Sequence, residues 1–231
     1  ETGRYLQPDG GHATLNAGLV FHDDTNDPLR IQFQAEETSR PRLVHIIRHG
    51  EAEHNVYEDM LREPNTTLTC KGRMQAASLR AKVQALRPEV VLTSPILRAL
   101  QTTAGFVDQG AQVVVVPDAR ERFGKQEHLC EMPMDPVEVE AKFPQFALYD
   151  WSLVTEAIER RGGVFEDWWK ELRSCDLQSN QRIEERASRL SEYIERRPEA
   201  TICLVSHGAF LRYLTKDRYM GNCEMRSYLL S

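Results

Sequence analysis

Leu43-Val44-His45-Ile46-Ile47-Arg48-His49-Gly50-Glu51 is the stretch on which the reading of this chain turns. Its first five residues are nearly all apolar and rich in β-branched side chains, the mark of a strand buried on both faces. The four that follow are charged or conformationally free. The same pattern recurs downstream. Val90-Val91-Leu92-Thr93 leads into Ser94-Pro95-Ile96-Leu97-Arg98, and the valines of residues 113–116 lead into a segment holding Arg120, Glu121 and Arg122. Thr201-Ile202-Cys203-Leu204-Val205 leads into Ser206-His207-Gly208, and a last run covers residues 227–230.

Helical patterns fill the gaps. In residues 182–197, Ile183, Ala187, Leu190 and Ile194 recur at steps of four, three and four, with charges elsewhere. Residues 71–86 carry Met74, Ala77 and Ala81, with Thr69 placed to cap the helix and Pro88 to stop it. Strands alternating with helices predict right-handed crossovers. The expected class is α/β: a three-layer sandwich with a mainly parallel central sheet and helices on both faces. Residues 125–179, with Pro133, Pro136, Pro144 and Trp151, Trp168 and Trp169, read as an insertion over the C-terminal strand ends. Residues 1–41, rich in Gly, Asp, Asn, Pro and Thr, read as an irregular extension that wraps the domain or is partly mobile, and residues 42–231 as the catalytic domain.

Length and composition narrow the function classes. A chain of 231 residues makes one domain with room for a sizeable core. Its 29 Lys and Arg against 35 Asp and Glu leave a net charge of −6, which argues against coating nucleic acid or an anionic membrane. Five cysteines without a C-x-x-C pair support neither a disulfide framework nor a zinc ribbon, so reduced thiols are expected. No apolar run is long enough to span a bilayer. A cytoplasmic location is the expectation. The triplet Asn65-Thr66-Thr67 matches a glycosylation acceptor, a pattern common by chance.

In an open parallel sheet, ligands bind beyond the carboxyl ends of the strands. Two histidines, at least two arginines and a carboxylate would converge there. The set suits a phosphoryl group. Arginine's planar fork holds phosphate oxygens at two points and stays charged. A neutral imidazole can attack phosphorus, and nearby guanidinium charge favours its neutral form. A carboxylic acid at the rim can protonate the leaving oxygen. Glycine beside each histidine lets the backbone approach the ligand, and Gly208 would open a helix whose N-terminus favours an anion. No metal or cofactor is called for. Trp151, Trp168 and Trp169, with Phe165, Tyr149 and His128, read as core of the insertion ahead of a leaving-group pocket. Arg120, Arg122 and Lys125 stand either as selectors of a further anionic group or as a solvated turn.

The segments L-V-H-I-I-R-H-G-E-A-E-H-N, L-T-C-K-G-R-M-Q-A, L-T-S-P-I-L-R-A-L-Q-T, R-E-R-F-G and L-V-S-H-G-A-F-L, in this order, resemble the phosphoglycerate-mutase-like branch of the histidine phosphatase superfamily. The resemblance runs from about Arg42 to the C-terminus. It implies that His49 is the nucleophile and forms a phosphohistidine, and that Arg48, Arg98 and His207 hold the transferring group. It further implies that Asn55 contacts phosphate, that Glu121 donates the proton to the leaving group, and that the insertion helps choose the substrate. His207 is then expected as a protonated donor beside a neutral His49.

The function expected is a metal-independent phosphatase that hydrolyses a small phosphomonoester. Two alternatives stand beside it: a phosphoglycerate-mutase-type phosphotransferase, and a non-catalytic phosphate-binding protein on the same fold. The long basic insertion of the mutases has no clear counterpart, which favours the phosphatase. The partner expected is a small phosphorylated substrate, with neither nucleic acid nor membrane.

Overall fold

The computed structural model describes residues 42–230 apart from Gln109 and Gln126, together with the backbone of Gln7–Pro8. The extension expected over residues 1–41 otherwise lies outside the described residues. The strands are β1 (Gln7–Pro8), β2 (Arg42–Arg48), β3 (Val90–Thr93), β4 (Val113–Val115), β5 (Thr201–Ser206) and β6 (Met225–Leu230). The helices are α1 (Glu53–Val56), α2 (Cys70–Ser78), α3 (Arg80–Leu86), α4 (Leu97–Phe106), α5 (Pro136–Lys142), α6 (Ser152–Glu159), α7 (Phe165–Gln178), α8 (Asn180–Glu195) and α9 (Gly208–Thr215). The chain is α/β, as expected. None of these helices is long and apolar enough to cross a membrane.

The sheet order is β1-β6-β2-β5-β3-β4, with β2, β5, β3 and β4 parallel and β6 antiparallel to β2. Alternation along the strands divides the core into two layers. Val44, Ile46, Leu92 and Leu204 face Ile183, Leu190, Phe210 and Leu214 of α8 and α9. Ile47, Val91, Cys203 and Val205 face Val83, Ala99 and Phe106 of α3 and α4. Both faces are covered, which is why these strands read as unbroken apolar runs.

The local expectations hold with adjustments. Thr69 caps α2 by accepting from the Gly72 N–H at 3.0 Å. The helix expected over residues 71–86 is interrupted at Leu79, whose N–H bonds the Ala76 carbonyl three residues back and tightens the turn. A methyl group at Gly72 would lie 1.9 Å from the Glu51 carbonyl oxygen, so only glycine lets α2 pack this closely on the segment after His49. None of the five cysteines is in a disulfide.

The insertion does more than lie over the strand ends. Val115 N–H donates to the Asp150 carbonyl and Asp150 N–H to that of Val113, both at 2.8 Å, so it lines the outer edge of β4 and satisfies groups an edge strand leaves open. Trp168 is fully buried with Phe146, Val154 and Leu100, in keeping with the core reading. Behind it Asp176 bridges two buried arginines: Arg120 Nη2 at 3.1 Å and Arg186 Nη2 at 3.0 Å. Arg186 Nη1 also donates to the Arg120 carbonyl at 2.7 Å, and Asp176 accepts from Phe123 N–H at 3.3 Å. The network ties residues 118–123, which carry Glu121, to α7 and α8.

Removing the shared carboxylate strands two buried guanidinium groups. Asp176→Asn is expected to destabilise the fold by about 3–5 kcal/mol, which lowers Tm on the order of 10 °C in a chain of this size. A thermal melt showing an unchanged Tm contradicts the role given to this network.

Candidate active site

Strand register brings the polar residues together. Arg48 pairs with Ser206 across β2 and β5, so the residues that follow, His49 and His207, leave the sheet side by side. Their ring centroids are 5.0 Å apart. Thr93 pairs with Val205, which sets Ser94 at the end of β3 within reach of His207: Ser94 Oγ lies 2.7 Å from His207 Nε2. Arg98 comes from the first turn of α4, and Thr102 of that helix accepts the Gly50 N–H at 2.9 Å, holding the helix against the turn after His49.

The hydrogen bonds fix the His49 tautomer. Nδ1 lies 2.7 Å from the Gly50 carbonyl oxygen, which can only accept, so Nδ1 carries the hydrogen. In the neutral ring Nε2 then keeps its lone pair, and Arg98 Nε donates to it at 3.3 Å. Burial first, then the Arg98 and Arg48 charges, hold the His49 pKa well below the ordinary imidazole range. His207 is depressed in the same way by burial and by Arg98. The expectation of a protonated His207 beside a neutral His49 is therefore corrected for the free protein: both rings are neutral.

The two arginines are themselves fully enclosed and are braced by carbonyls. Arg98 Nη1 donates to Cys130 at 2.6 Å and Arg48 Nη1 to Met220 at 2.9 Å. The Arg48 guanidinium sits 4.7 Å above the Tyr219 ring centre. Gly208 makes room for both, since a Cβ there would lie 2.7 Å from the Tyr219 ring and 2.9 Å from Arg48 Nε. At Gly50, likewise, an added Cβ would lie 2.8 Å from the Gly72 carbonyl oxygen and 3.3 Å from Cys223 Sγ. The glycines beside the two histidines thus serve packing of the site. Two buried polar atoms, Arg48 Nε and His207 Nδ1, have no hydrogen-bond partner, an arrangement that fits an anion with several acceptor oxygens.

Two expected residues stand at the edge and are engaged locally. Asn55 is exposed; its Oδ1 accepts the Ala52 N–H at 3.0 Å and its Nδ2 lies 3.0 Å from His54 Nε2. Glu121 caps α9, the helix opened by Gly208: Oε1 accepts the Phe210 N–H at 2.8 Å and Oε2 the Ala209 N–H at 3.2 Å. The helix N-terminus expected to receive a ligand anion already holds this carboxylate.

Sequence reasoning did not single out several residues that complete the site. His54, one position before Asn55, has its ring 5.7 Å from that of His49. Its Nδ1 lies 3.1 Å from Thr66 Oγ1, and burial with the Arg98 and Arg48 charges takes its pKa down to about 2. Asn222 Nδ2 donates to the His49 carbonyl at 3.0 Å. Glu131, next to the Cys130 carbonyl that braces Arg98, is buried and its pKa is pushed up to about 8 by that burial. His54 was visible within the R-H-G-E-A-E-H-N segment; Tyr219, Asn222 and Glu131 carry no local pattern.

An ordinary imidazole is mostly protonated at about pH 5.5. A depressed value means that the folded ring takes up its proton only at lower pH, while the unfolded chain takes it up below about 6.5, so these groups reduce stability as pH falls through that range. Histidine ring nitrogen shifts are expected to show His49, His54 and His207 neutral from about pH 7.5 to about pH 5.5. Protonation of any of the three in that window contradicts the electrostatics described.

Comparison with known proteins bears on this geometry. Residues 44–222 match the model of the histidine phosphatase superfamily, branch 1. The chain is similar to a probable phosphatase of Schizosaccharomyces pombe, 28% identical with 76% of this chain and 78% of that protein covered. It is also similar to a phosphoglycerate mutase-like protein of Arabidopsis thaliana, 27% identical with 83% and 85% covered. Among solved structures, the alpha-ribazole phosphatase of Shigella flexneri shares the fold with a TM-score of 0.50 at 21% identity, over 80% of this chain and 89% of that one. The family match takes in most of β2 and the whole of β3, α4, β4, β5 and α9, the elements that position His49, Arg98 and His207: the chain belongs to the histidine phosphatase superfamily and is a phosphoric monoester hydrolase.

Proposed function

We propose that the chain hydrolyses the phosphate monoester of a small molecule in two steps through a phosphohistidine on His49. The observation that carries this reading is the His49 ring: Nδ1–H bonded to the Gly50 carbonyl leaves Nε2 unprotonated, beside Arg98 Nε at 3.3 Å. In the first step Nε2 attacks phosphorus in line as the ester P–O bond breaks. In the second, water attacks phosphorus and the P–N bond breaks, returning the electron pair to Nε2. Arg48, Arg98 and His207 hold the equatorial oxygens, whose charge is the main target of electrostatic stabilisation in phosphoryl transfer.

Several features support this assignment. Arg48 Nε and His207 Nδ1 are buried polar atoms without partners. An incoming phosphoryl dianion would supply acceptors for both and offset the mutual repulsion of the guanidinium groups. With a dianion bound, His207 gains a reason to take up the proton that it lacks in the free pocket. Gly208 gives Arg48 its place, and Asn222, which donates to the His49 carbonyl, also donates to Asn55 Oδ1 at 3.4 Å. The positive charge comes from arginine, so no metal is required in this scheme. By resemblance the proton for the leaving oxygen belongs to Glu121, whose oxygens here are occupied by backbone N–H groups.

His49→Ala is expected to lower hydrolysis of p-nitrophenyl phosphate by at least about 10³-fold, and acid-sensitive, base-stable phosphoprotein is expected in the wild type only. A chelator in the assay is expected to leave the rate unchanged. Activity of His49→Ala near that of the wild type ends the assignment; a chelator-sensitive rate ends the metal-independent scheme.

A further inference from the structure

The Arg48 guanidinium is buried and charged, yet among the described residues both groups that hold it come from one short segment. Its Nη1 donates to the Met220 carbonyl at 2.9 Å, and its central carbon lies 4.7 Å from the centre of the Tyr219 ring. The same segment grips the backbone on either side. Arg48 N–H donates to the Glu224 carbonyl at 3.2 Å and Cys223 N–H to the Arg48 carbonyl at 3.0 Å, while Asn222 Nδ2 donates to the His49 carbonyl at 3.0 Å. Residues 216–224, which join α9 to β6, thus form a strap across Arg48 and His49.

The strap would not keep this shape unaided. Lys216 near its start and Cys223 near its end sit at φ of 54° and 56°, in the left-handed region where a side chain crowds the following carbonyl. Its middle belongs to no helix or strand that would satisfy its carbonyls. Arg226, the second residue of β6, supplies what is missing. Its Nη1 donates to the Arg218 carbonyl at 2.8 Å and its Nη2 to the Tyr219 carbonyl at 3.2 Å, immediately before Met220. Nη1 also reaches Asp217 Oδ2 at 2.8 Å, and Nε and Nη2 share Glu224 Oε1 at 2.8 and 2.7 Å. Both carboxylates then hold the backbone themselves: Asp217 Oδ1 accepts the Arg218 N–H at 2.6 Å and Glu224 Oε2 the Gly221 N–H at 2.7 Å. Every donor of one planar fork is spent on the strap. The fork is in turn fixed by the sheet, where Arg226 pairs with Ile46, two residues before Arg48.

We propose that Arg226 is a positioning residue for phosphoryl transfer: by gathering the strap it sets the Tyr219 ring and the Met220 carbonyl on Arg48, and so fixes where that guanidinium meets the phosphoryl oxygens. This role rests on the phosphohistidine reading and deepens it, because it gives the group that holds the transferring phosphoryl a brace outside the pocket. The hydrogen bonds and ion pairs of Arg226 run to the strap alone. A merely structural arginine would behave differently: its loss would lower the melt and leave phosphate binding by the folded enzyme as it was.

The test uses the full chain, read by p-nitrophenyl phosphate hydrolysis, by calorimetric binding of inorganic phosphate and by thermal melts, with rates taken below the onset of melting. Arg226→Met is expected to lower kcat/KM by about 10–100-fold, the scale of a small displacement of a binding group, and to weaken phosphate binding on the order of tenfold. Arg226→Lys keeps a charge between Asp217 and Glu224 but has no planar fork; it is expected to restore the melt and not the rate. In an Arg48→Met background, Arg226→Met is expected to cost less than about threefold, because the group it positions is gone. Tyr219→Leu takes the ring off Arg48 at a residue that is 53% exposed, and is expected to weaken phosphate binding with an unchanged melt. That variant decides even if Arg226→Met fails to fold. Wild-type kcat/KM in Arg226→Met, full recovery of rate in Arg226→Lys, an equal loss in the two backgrounds, or undiminished phosphate binding in Tyr219→Leu overturns the assignment. Acid-quenched wild type incubated with the aryl ester separates the two levels: without phosphohistidine the underlying reading falls and the role of Arg226 with it, whereas phosphohistidine together with any of those four results sinks the role of Arg226 alone.

Discussion

Two guanidinium groups and three imidazoles share one buried space, and that is tolerable only because every imidazole is neutral. Guanidinium groups keep their charge, and the rings give up their protons instead: His49, His54 and His207 all have depressed pKa values caused first by burial and then by the Arg98 charge, with Arg48 adding to it. The surplus charge is braced by carbonyls of Met220 and Cys130, which soften the cost of burial without neutralising it. A pocket built in this way carries a standing attraction for a dianion. In the proposed reading the same imbalance keeps Nε2 of His49 nucleophilic before the substrate arrives, and stabilises the charge spread over the equatorial oxygens once it has.

The sheet makes this crowding possible. Pairing of Arg48 with Ser206 and of Thr93 with Val205 places the ends of β2, β5 and β3 in one row, so three loops open at the same level. The backbone continues to lock them past the strands, through His49 N–H to the Ser206 carbonyl at 2.9 Å and Ser94 N–H to that of Val205 at 3.1 Å. Ser206 Oγ then donates to the Ala119 carbonyl at 2.7 Å and fixes the start of the segment bearing Glu121. A slip of one residue in any of these pairings would turn a site residue into the core.

That row of strand ends was legible because it is written in contiguous residues: an apolar run followed at once by Arg48-His49, Ser94 or Ser206-His207 needs only the rule that a buried strand ends where its polar residues begin. The same reasoning found α8 and the Thr69 cap, since helix period and capping are local. It misplaced the purpose of Gly50 and Gly208, because a missing Cβ shows that something comes close but not what does. Tyr219 and Asn222 escaped because they act through stacking and through the carbonyl of His49, across more than 160 residues of chain. The state of Glu131 escaped for a deeper reason. A carboxyl with a raised pKa is a property of the burial around it, and the two glutamates near the pocket are indistinguishable by residue type.

The insertion binds these levels together. It was expected over the strand ends as a chooser of substrate, yet it also lines the β4 edge through Asp150, buries Asp176 between Arg120 and Arg186, and supplies the Cys130 carbonyl to Arg98. A guanidinium held at one end by His49 and at the other by the insertion cannot move without both. In the proposed reading, contacts made by a leaving group against the insertion are therefore felt at His49 Nε2. In that reading, substrate fit and the electrostatics of phosphoryl transfer are both set by where Arg98 sits.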